Sequence, residues 1–434
     1  MKVSINNSRF IYSKKINGSK ALAHRFLIGA FLANEPFIIE NVPDNDDIKA
    51  TLNFLKAINK EIVFTDRNSC YIKPSEIKKE KEIVVEVNNS YSTLLFLLPI
   101  SLQLANKVTF ICNDSLINKS IKIYEEIATL CNLSIKKEDN KIICSGSINL
   151  DYYEVDGSIS SQFITGLIIN ALYLKKAITI KINNELKNKK YVLMSIEVFK
   201  KMGFDISFID NTLYIHNNII KYWDSFFIEG DYTTCCNYLA LACLNGSFEA
   251  YNLTVNSLQE EAKIIEILKS IGGNIKYFED KNMIYAYNNS LLEKGIAKQL
   301  KSFTYDLKES INLSFILLVI ASYSSGISTF TNYNLLNKDD KQRIDNMLDI
   351  LSLLKVSIKK SNNITIKGKK DYFNNKVIID CKNDHKILMA LSIFSLLNKG
   401  NITLSNIECI NKADPDYFNN LIKGCKEGAI EVLM

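Results

Sequence analysis

Arginine is scarce in this chain. Its 434 residues include four (Arg9, Arg25, Arg67 and Arg343), so the net charge of +6 rests on lysines spread along the whole length. No basic block alternates with aromatic residues, which argues against a nucleic-acid surface. Proline (5) and glycine (16) are few, and no low-complexity tract or disordered tail is present. The longest apolar runs, such as Phe315 to Ala321, are too short for a membrane span, and the opening MKVSINNSRFIY lacks the apolar core of a signal peptide. The ten cysteines show neither Cys-x-x-Cys nor Cys/His ligand spacing. A disulfide framework and a zinc site are thereby disfavoured, and reduced thiols in a cytoplasmic protein are expected, with no metal and no membrane partner.

What is present is repetition. With 47% hydrophobic residues, the chain can bury two ordinary cores or one long repeated one. Apolar helices are expected to begin near Ser19, Ser90, Ser158, Asp231, Ser310 and Asp384, each with a polar cap. Each is followed by a short β-type run (PFIIEN, KVTFICN, AITIKIN, SFEAYNL, ISTFTNY, NITLSNI), then by an amphipathic helix, as in IKATLNFLKAI or IDNMLDILSLL. Hairpins with Asn- or Asp-rich turns close most copies, as in FIDNTLYIH and KKSNNITIKG. The period is about 70 residues, too long for an ordinary solenoid repeat. Six such units suit two globular domains of three, with apolar helices inside and sheets outside. The expected division places residues 1–14 with 227–434 in one domain and 15–226 in the other. The hinge falls near Tyr222 to Gly230, Val3 to Tyr12 forms a first strand, and Ser13-Lys14-Lys15 is the return crossing.

The first apolar helix carries Lys20 and Arg25 in its first two turns. A helix start presents unpaired N–H groups and the positive end of the dipole, so cations are unfavourable there unless an anion is bound. If all inner helices aim their starts at one cleft between the domains, that cleft becomes a phosphate site crowded with positive charge.

Several segments then match a known pattern in order and spacing. Gly18-Ser19-Lys20-Ala21-Leu22-Ala23-His24-Arg25 resembles GSKSxSxR, and Asp156-Gly157-Ser158-Ile159-Ser160-Ser161-Gln162-Phe163 resembles G-x-S-S-Q-F, with Tyr191 at the matching distance. Gly230-Asp231-Tyr232, Asp384-His385-Lys386 and Asn411-Lys412-Ala413-Asp414-Pro415-Asp416-Tyr417-Phe418 resemble GD[WY]S, DHR and xKSYPxF. From about Ile16 to Phe418 the chain is similar to the enolpyruvyl transferases, and within them to the EPSP synthase branch.

That resemblance implies a two-domain α/β fold (an inside-out α/β barrel) of six helix-strand-helix-hairpin units, three per domain. It implies transfer of the enolpyruvyl group of phosphoenolpyruvate to the 5-hydroxyl of shikimate 3-phosphate, by a monomer without cofactor. Lys20, Arg25, Ser160, Ser161, Gln162, Tyr191 and Asn312 would hold shikimate 3-phosphate. Lys20, Lys119, Gln162, Arg343, Lys386 and Lys412 would hold phosphoenolpyruvate, and Lys20, Asn312, Asp340 and Lys412 would stand at the catalytic positions.

The chain also departs from the pattern. Tyr91 stands where the family has a glycine, Leu95 where it has an arginine, and Ala21 where it has a serine. Lys119 and Lys386 replace arginines, keeping charge but losing the bidentate fork. Asp340 takes the place of a glutamate. Asn312 stands where an aspartate would take the hydroxyl proton, and an amide cannot act as that base. Three readings therefore stand: an active transferase, a relative that binds a phosphorylated ligand without turnover, and a repeat scaffold. His24 and His216 read as packing or surface residues, and His385 as structural.

Overall fold

A computed structural model of the chain describes all residues except 34, 59, 75–77, 119–120, 187, 220–224, 289–298 and 434. The chain divides into two compact units, Asn17–Glu229 and a unit made of Met1–Ile16 with Gly230–Met434. These borders lie two and three residues beyond the expected ones, and the expected hinge lies partly outside the described residues.

The Asn17–Glu229 unit contains α1 (Lys20–Ala33), α2 (Asp46–Ala57), α3 (Tyr91–Leu104), α4 (Asp114–Ile117), α5 (Lys122–Cys131), α6 (Ser161–Leu174) and α7 (Lys189–Lys201). The other unit contains α8 (Tyr232–Asn245), α9 (Ile264–Ser270), α10 (Ile311–Tyr323), α11 (Lys338–Leu353), α12 (His385–Leu397) and α13 (Tyr417–Gly424). Among the described residues each unit holds three four-stranded sheets. The sheet of the second copy shows the plan. Glu80–Asn88 runs parallel to Ala105–Cys112 on either side of α3, and the hairpin Ser134–Glu138/Lys141–Ser145 adds antiparallel. A parallel pair needs a helical crossover, and the apolar inner helix supplies it.

Apolar residues on both sides of the sequence pattern make α1, α3, α6, α8, α10 and α12 the core of their units, and each unit has its own buried cluster. Close helix approach is built in at Gly166 of α6. A Cβ there would lie 2.2 Å from the carbonyl oxygen of Leu95 on α3.

Three local expectations are corrected. The third inner helix begins at Ser161 with Ser160 as its cap, because Asp156 Oδ1 accepts the N–H of Ser158 and holds that residue in the preceding turn. The chain start forms two strands rather than one, Lys2–Ile5 and Phe10–Lys15, so Ser13-Lys14-Lys15 lies within a strand and is not a crossing. The strands belong to different sheets: Lys2–Ile5 pairs between Ile402–Ser405 and Ile430–Leu433, and Phe10–Lys15 runs parallel to Gly246–Tyr251. Finally, the Ser19 hydroxyl is buried without a hydrogen-bond partner instead of capping α1.

Candidate active site

The inner helices are buried along almost their whole length, and the exceptions lie in their first and last turns. In α10 every residue but Asn312 is buried. At the first turns of the others, Lys20 and Ala21, Tyr91 and Ser92, Gln162, Thr233, and His385 and Lys386 are the residues left outside the core. Most of these are positions singled out from the sequence.

In the Asn17–Glu229 unit, Gly18 lets the chain enter α1 against its neighbour, since a Cβ there would lie 1.9 Å from the Asn41 carbonyl oxygen. Lys20 follows, and its Nζ lies 2.7 Å from Oδ2 of Asp47 in the first turn of α2. Ser90 caps α3, and Ser92 accepts a 3.0 Å hydrogen bond from Gln162 Nε2. Ser160 Oγ caps α6 by accepting the N–H of Gln162 at 3.2 Å, while Ser161 is buried behind it. Gln162 Oε1 is buried with no internal partner, as is Ser19 Oγ. Each thus leaves a hydrogen-bonding capacity unmet within the protein.

Arg25 is placed differently from the expectation of an open phosphate-binding cation. It is 1% exposed, over the ring of Phe96 at 5.2 Å, and donates to the carbonyl oxygens of Ala21 and Tyr191 and to Ser195 Oγ. Burial pulls its pKa down to about 10, with no carboxylate paired to it among the described residues. Arg25 thus ties α1 to α7, and it sets Tyr191 through its backbone. Leu95 is also a core residue. Its carbonyl accepts the hydroxyl of Tyr124, so the position that carries arginine in the family faces inward here.

In the other unit, Asn312 and Lys386 line one small cavity with Thr233, Cys236, Asn237 and Met389. Arg343, from α11, lies 4.9 Å over the ring of Phe315, which lines the same cavity. Its Nε donates to Asp384 Oδ2 at 2.7 Å, and Asp384 caps α12 by accepting the N–H groups of Lys386 and Ile387. Burial opposes ionisation of Asp384. The charge and hydrogen bond of Arg343, helped by His385 and the Lys386 N–H, outweigh it and hold the carboxyl well below its usual range. Lys386 Nζ lies 3.7 Å from the buried carboxylate of Glu261. Asp340 sits in the first turn of α11, where its N–H and carboxylate both bond Asn337 in a reciprocal cap. Lys412 ends the turn Ile407–Lys412, half-buried, and is not among the cavity-lining residues. Lys119 lies outside the described residues.

The expected crowd of unbalanced cations is corrected on one point: Lys20, Arg343 and Lys386 each have a carboxylate partner (Asp47, Asp384 and Glu261). Asp47 and Glu261 were missed from sequence. The only signals were a capped acidic turn at Asn45-Asp46-Asp47 and the pair Glu260-Glu261.

The profile of the family EPSP synthase (3-phosphoshikimate 1-carboxyvinyltransferase) matches residues 13–421. The chain belongs to that family. As a member of the EPSP synthase family it is 31% identical over 422 residues to the 3-phosphoshikimate 1-carboxyvinyltransferase of Clostridium novyi, covering 93% of each chain. It is 28% identical over 418 residues to that of Clostridium acetobutylicum, covering 94% of this chain and 93% of the other. In structure it resembles EPSP synthase from Acinetobacter baumannii, with a TM-score of 0.78, 16% identity and full coverage of both chains. It also resembles the enolpyruvyl transferase NikO from Streptomyces tendae, with a TM-score of 0.73, 13% identity and coverage of 99% and 98%. These structural likenesses establish the α/β enolpyruvyl-transferase fold.

Proposed function

We propose that this EPSP synthase family member transfers the enolpyruvyl group of phosphoenolpyruvate to the 5-hydroxyl of shikimate 3-phosphate and releases phosphate. The observation that carries the reading is the family match over residues 13–421, nearly the whole chain. The first-turn residues left outside the helical cores support it, because they supply cations, hydroxyls and amides at helix starts, the environment phosphates and carboxylates need.

In this reaction the hydroxyl oxygen bonds to C2 of the enolpyruvyl group while its methylene carbon gains a proton. The tetrahedral intermediate then loses phosphate by C–O cleavage and a proton from the methyl group. Ser160, Ser161, Gln162 and Tyr191 hold shikimate 3-phosphate, with Arg25 acting from behind by fixing the backbone of Tyr191. Lys20, Gln162, Arg343, Lys386, Lys412 and Lys119 take phosphoenolpyruvate. The paired carboxylates Asp47, Asp384 and Glu261 hold the cations in place. Asn312 hydrogen-bonds the acceptor hydroxyl without taking its proton, so turnover is slower than with a carboxylate at that place. Lys20 and Asp340 remain the proton-transfer groups of this reading.

The test is phosphate release from purified protein with both substrates. Release that needs both phosphoenolpyruvate and shikimate 3-phosphate is expected. Folded protein that binds both and releases nothing would leave a ligand-binding relative as the better account.

A further inference from the structure

Four contacts run unbroken through the starts of α1, α2 and α3. His24 Nδ1 lies 2.8 Å from Thr51 Oγ1, and Thr51 Oγ1 lies 3.0 Å from Thr93 Oγ1. Ser90 Oγ lies 2.7 Å from Thr93 Oγ1, which in turn lies 3.3 Å from the backbone carbonyl oxygen of Asp47. All five residues are buried. Buried polar groups must satisfy one another, so the protons can be counted.

A carbonyl holds no proton, so Thr93 donates to Asp47 and can only accept from Thr51 and Ser90. Thr51 has given its single proton to Thr93 and can only accept from His24. Three hydroxyls carry three protons, whereas four contacts need four. The fourth must come from the imidazole. His24 is then protonated at Nδ1, and because burial pulls its pKa down to about 3 the ring is neutral at pH 7 and its Nε2 is a bare lone pair. Consistently, Nε2 is buried without a partner, and the ring stands edge-on to Phe96.

We propose that His24 is a positioning residue: as the Nδ1–H tautomer it heads a one-way hydrogen-bond chain that fixes Asp47, and through the Asp47–Lys20 pair aims the Lys20 ammonium at the substrates. The aiming role rests on the enolpyruvyl-transfer reading; the tautomer does not. Three elements meet at Thr93, so a break upstream leaves Thr93 with one restraint fewer on the hydroxyl that bonds the Asp47 carbonyl, in the turn that holds Lys20.

The experiment has two arms. Long-range nitrogen–proton spectra of the full chain at pH 7 report the tautomer directly. The chain has three histidines, so the His24 signals are assigned by their disappearance in His24→Asn. Nδ1 should appear protonated and Nε2 bare. In steady-state kinetics, His24→Asn places an amide donor near the Nδ1 position and should keep kcat near the starting value. His24→Gln carries its donor to the Nε2 side and His24→Phe has none. Both should lower kcat about tenfold, short of the roughly hundredfold loss that a full ångström of misplacement can cause. Thr51→Val should cost the same and add nothing to His24→Phe.

An Nε2–H tautomer overturns the proposal, as does a His24→Asn protein as damaged as His24→Phe, or a folded His24→Phe with undiminished kcat. If the starting protein shows no turnover, the functional reading above fails instead. The variants are then ranked by calorimetric affinity for phosphoenolpyruvate, and the tautomer spectrum still decides the direction of the chain.

Discussion

Replacing Asn312 by aspartate tests most sharply what α10 contributes. Asn312 is the one residue of that helix outside the core, and it shares its cavity with Lys386. The replacement is nearly isosteric, so packing changes little. A carboxylate there gains from the lysine ammonium: at about 4 Å and an effective dielectric of about 20, the attraction is about 4 kcal/mol before desolvation. Desolvation of a half-buried carboxylate offsets most of that, and Glu261 already holds Lys386 at 3.7 Å. Stability should therefore shift by no more than about 1 kcal/mol. The nearby ammonium keeps the new acid ionised at neutral pH, which is the state a general base requires. A positioned base contributes about 10²- to 10⁴-fold. Sharing Lys386 with Glu261 places Asn312→Asp at the low end, a kcat gain of about 10²-fold, equivalent to about 2.7 kcal/mol of barrier. Initial-rate phosphate release at saturating substrates measures it. A folded Asn312→Asp protein with unchanged kcat would refute the idea that side chain 312 faces the acceptor hydroxyl.

Asp384→Asn keeps a good helix cap while removing the charge that Arg343 meets, so it isolates the ion pair. The folded-state pKa of Asp384 is depressed, so its contribution is present above the ordinary carboxylate range and fades as pH falls toward the folded value. Denaturant unfolding should show Asp384→Asn less stable by a constant amount from pH 7 to 5, with the gap narrowing only in stronger acid; a gap that widens on acidification contradicts the pairing. Gly166→Ala should destabilise by about 2–3 kcal/mol, because its Cβ meets the Leu95 backbone at 2.2 Å and no side chain can yield there. Urea unfolding decides it. Arg25→Leu should cost about 2 kcal/mol by removing three buried bonds from the guanidinium, although Ser195 Oγ keeps Thr165 Oγ1 and the Tyr191 carbonyl as partners. A substitution that weakens substrate binding but leaves the unfolding midpoint in place would return Arg25 to a direct ligand role.

The repeat was legible because each inner helix is continuously apolar and begins at a polar residue, and both signals are local. Ser160 was misplaced as Ser158 because two serines and an Asx turn compete within five residues, and only the hydrogen bond from Ser158 N–H to Asp156 separates them. The strand Phe10–Lys15 was cut short because Ser13-Lys14-Lys15 reads as polar, although its alternating exposure is that of a sheet edge. The motif positions were found, but not how they are held. Lys20 and Asp47 are 27 residues apart, Arg343 and Asp384 are 41 apart, and Arg25 and Ser195 are 170 apart. Such pairings arise only once the helices pack, and no periodicity announces them. Arg25 shows the limit most plainly: a cation at a helix start looked like a ligand, yet burial and three neutral acceptors make it an internal tie.

The strand Lys2–Ile5 pairs with Ile402–Ser405 on one side and Ile430–Leu433 on the other. During synthesis, Lys2–Ile5 therefore lacks both neighbours until residues some four hundred positions later have been made. The continuous stretch Asn17–Glu229 can collapse early around its own core, whereas the discontinuous unit must keep an unpaired strand waiting through the translation of some four hundred codons. Truncation at the C-terminus should thus expose a sticky edge at the opposite end of the sequence.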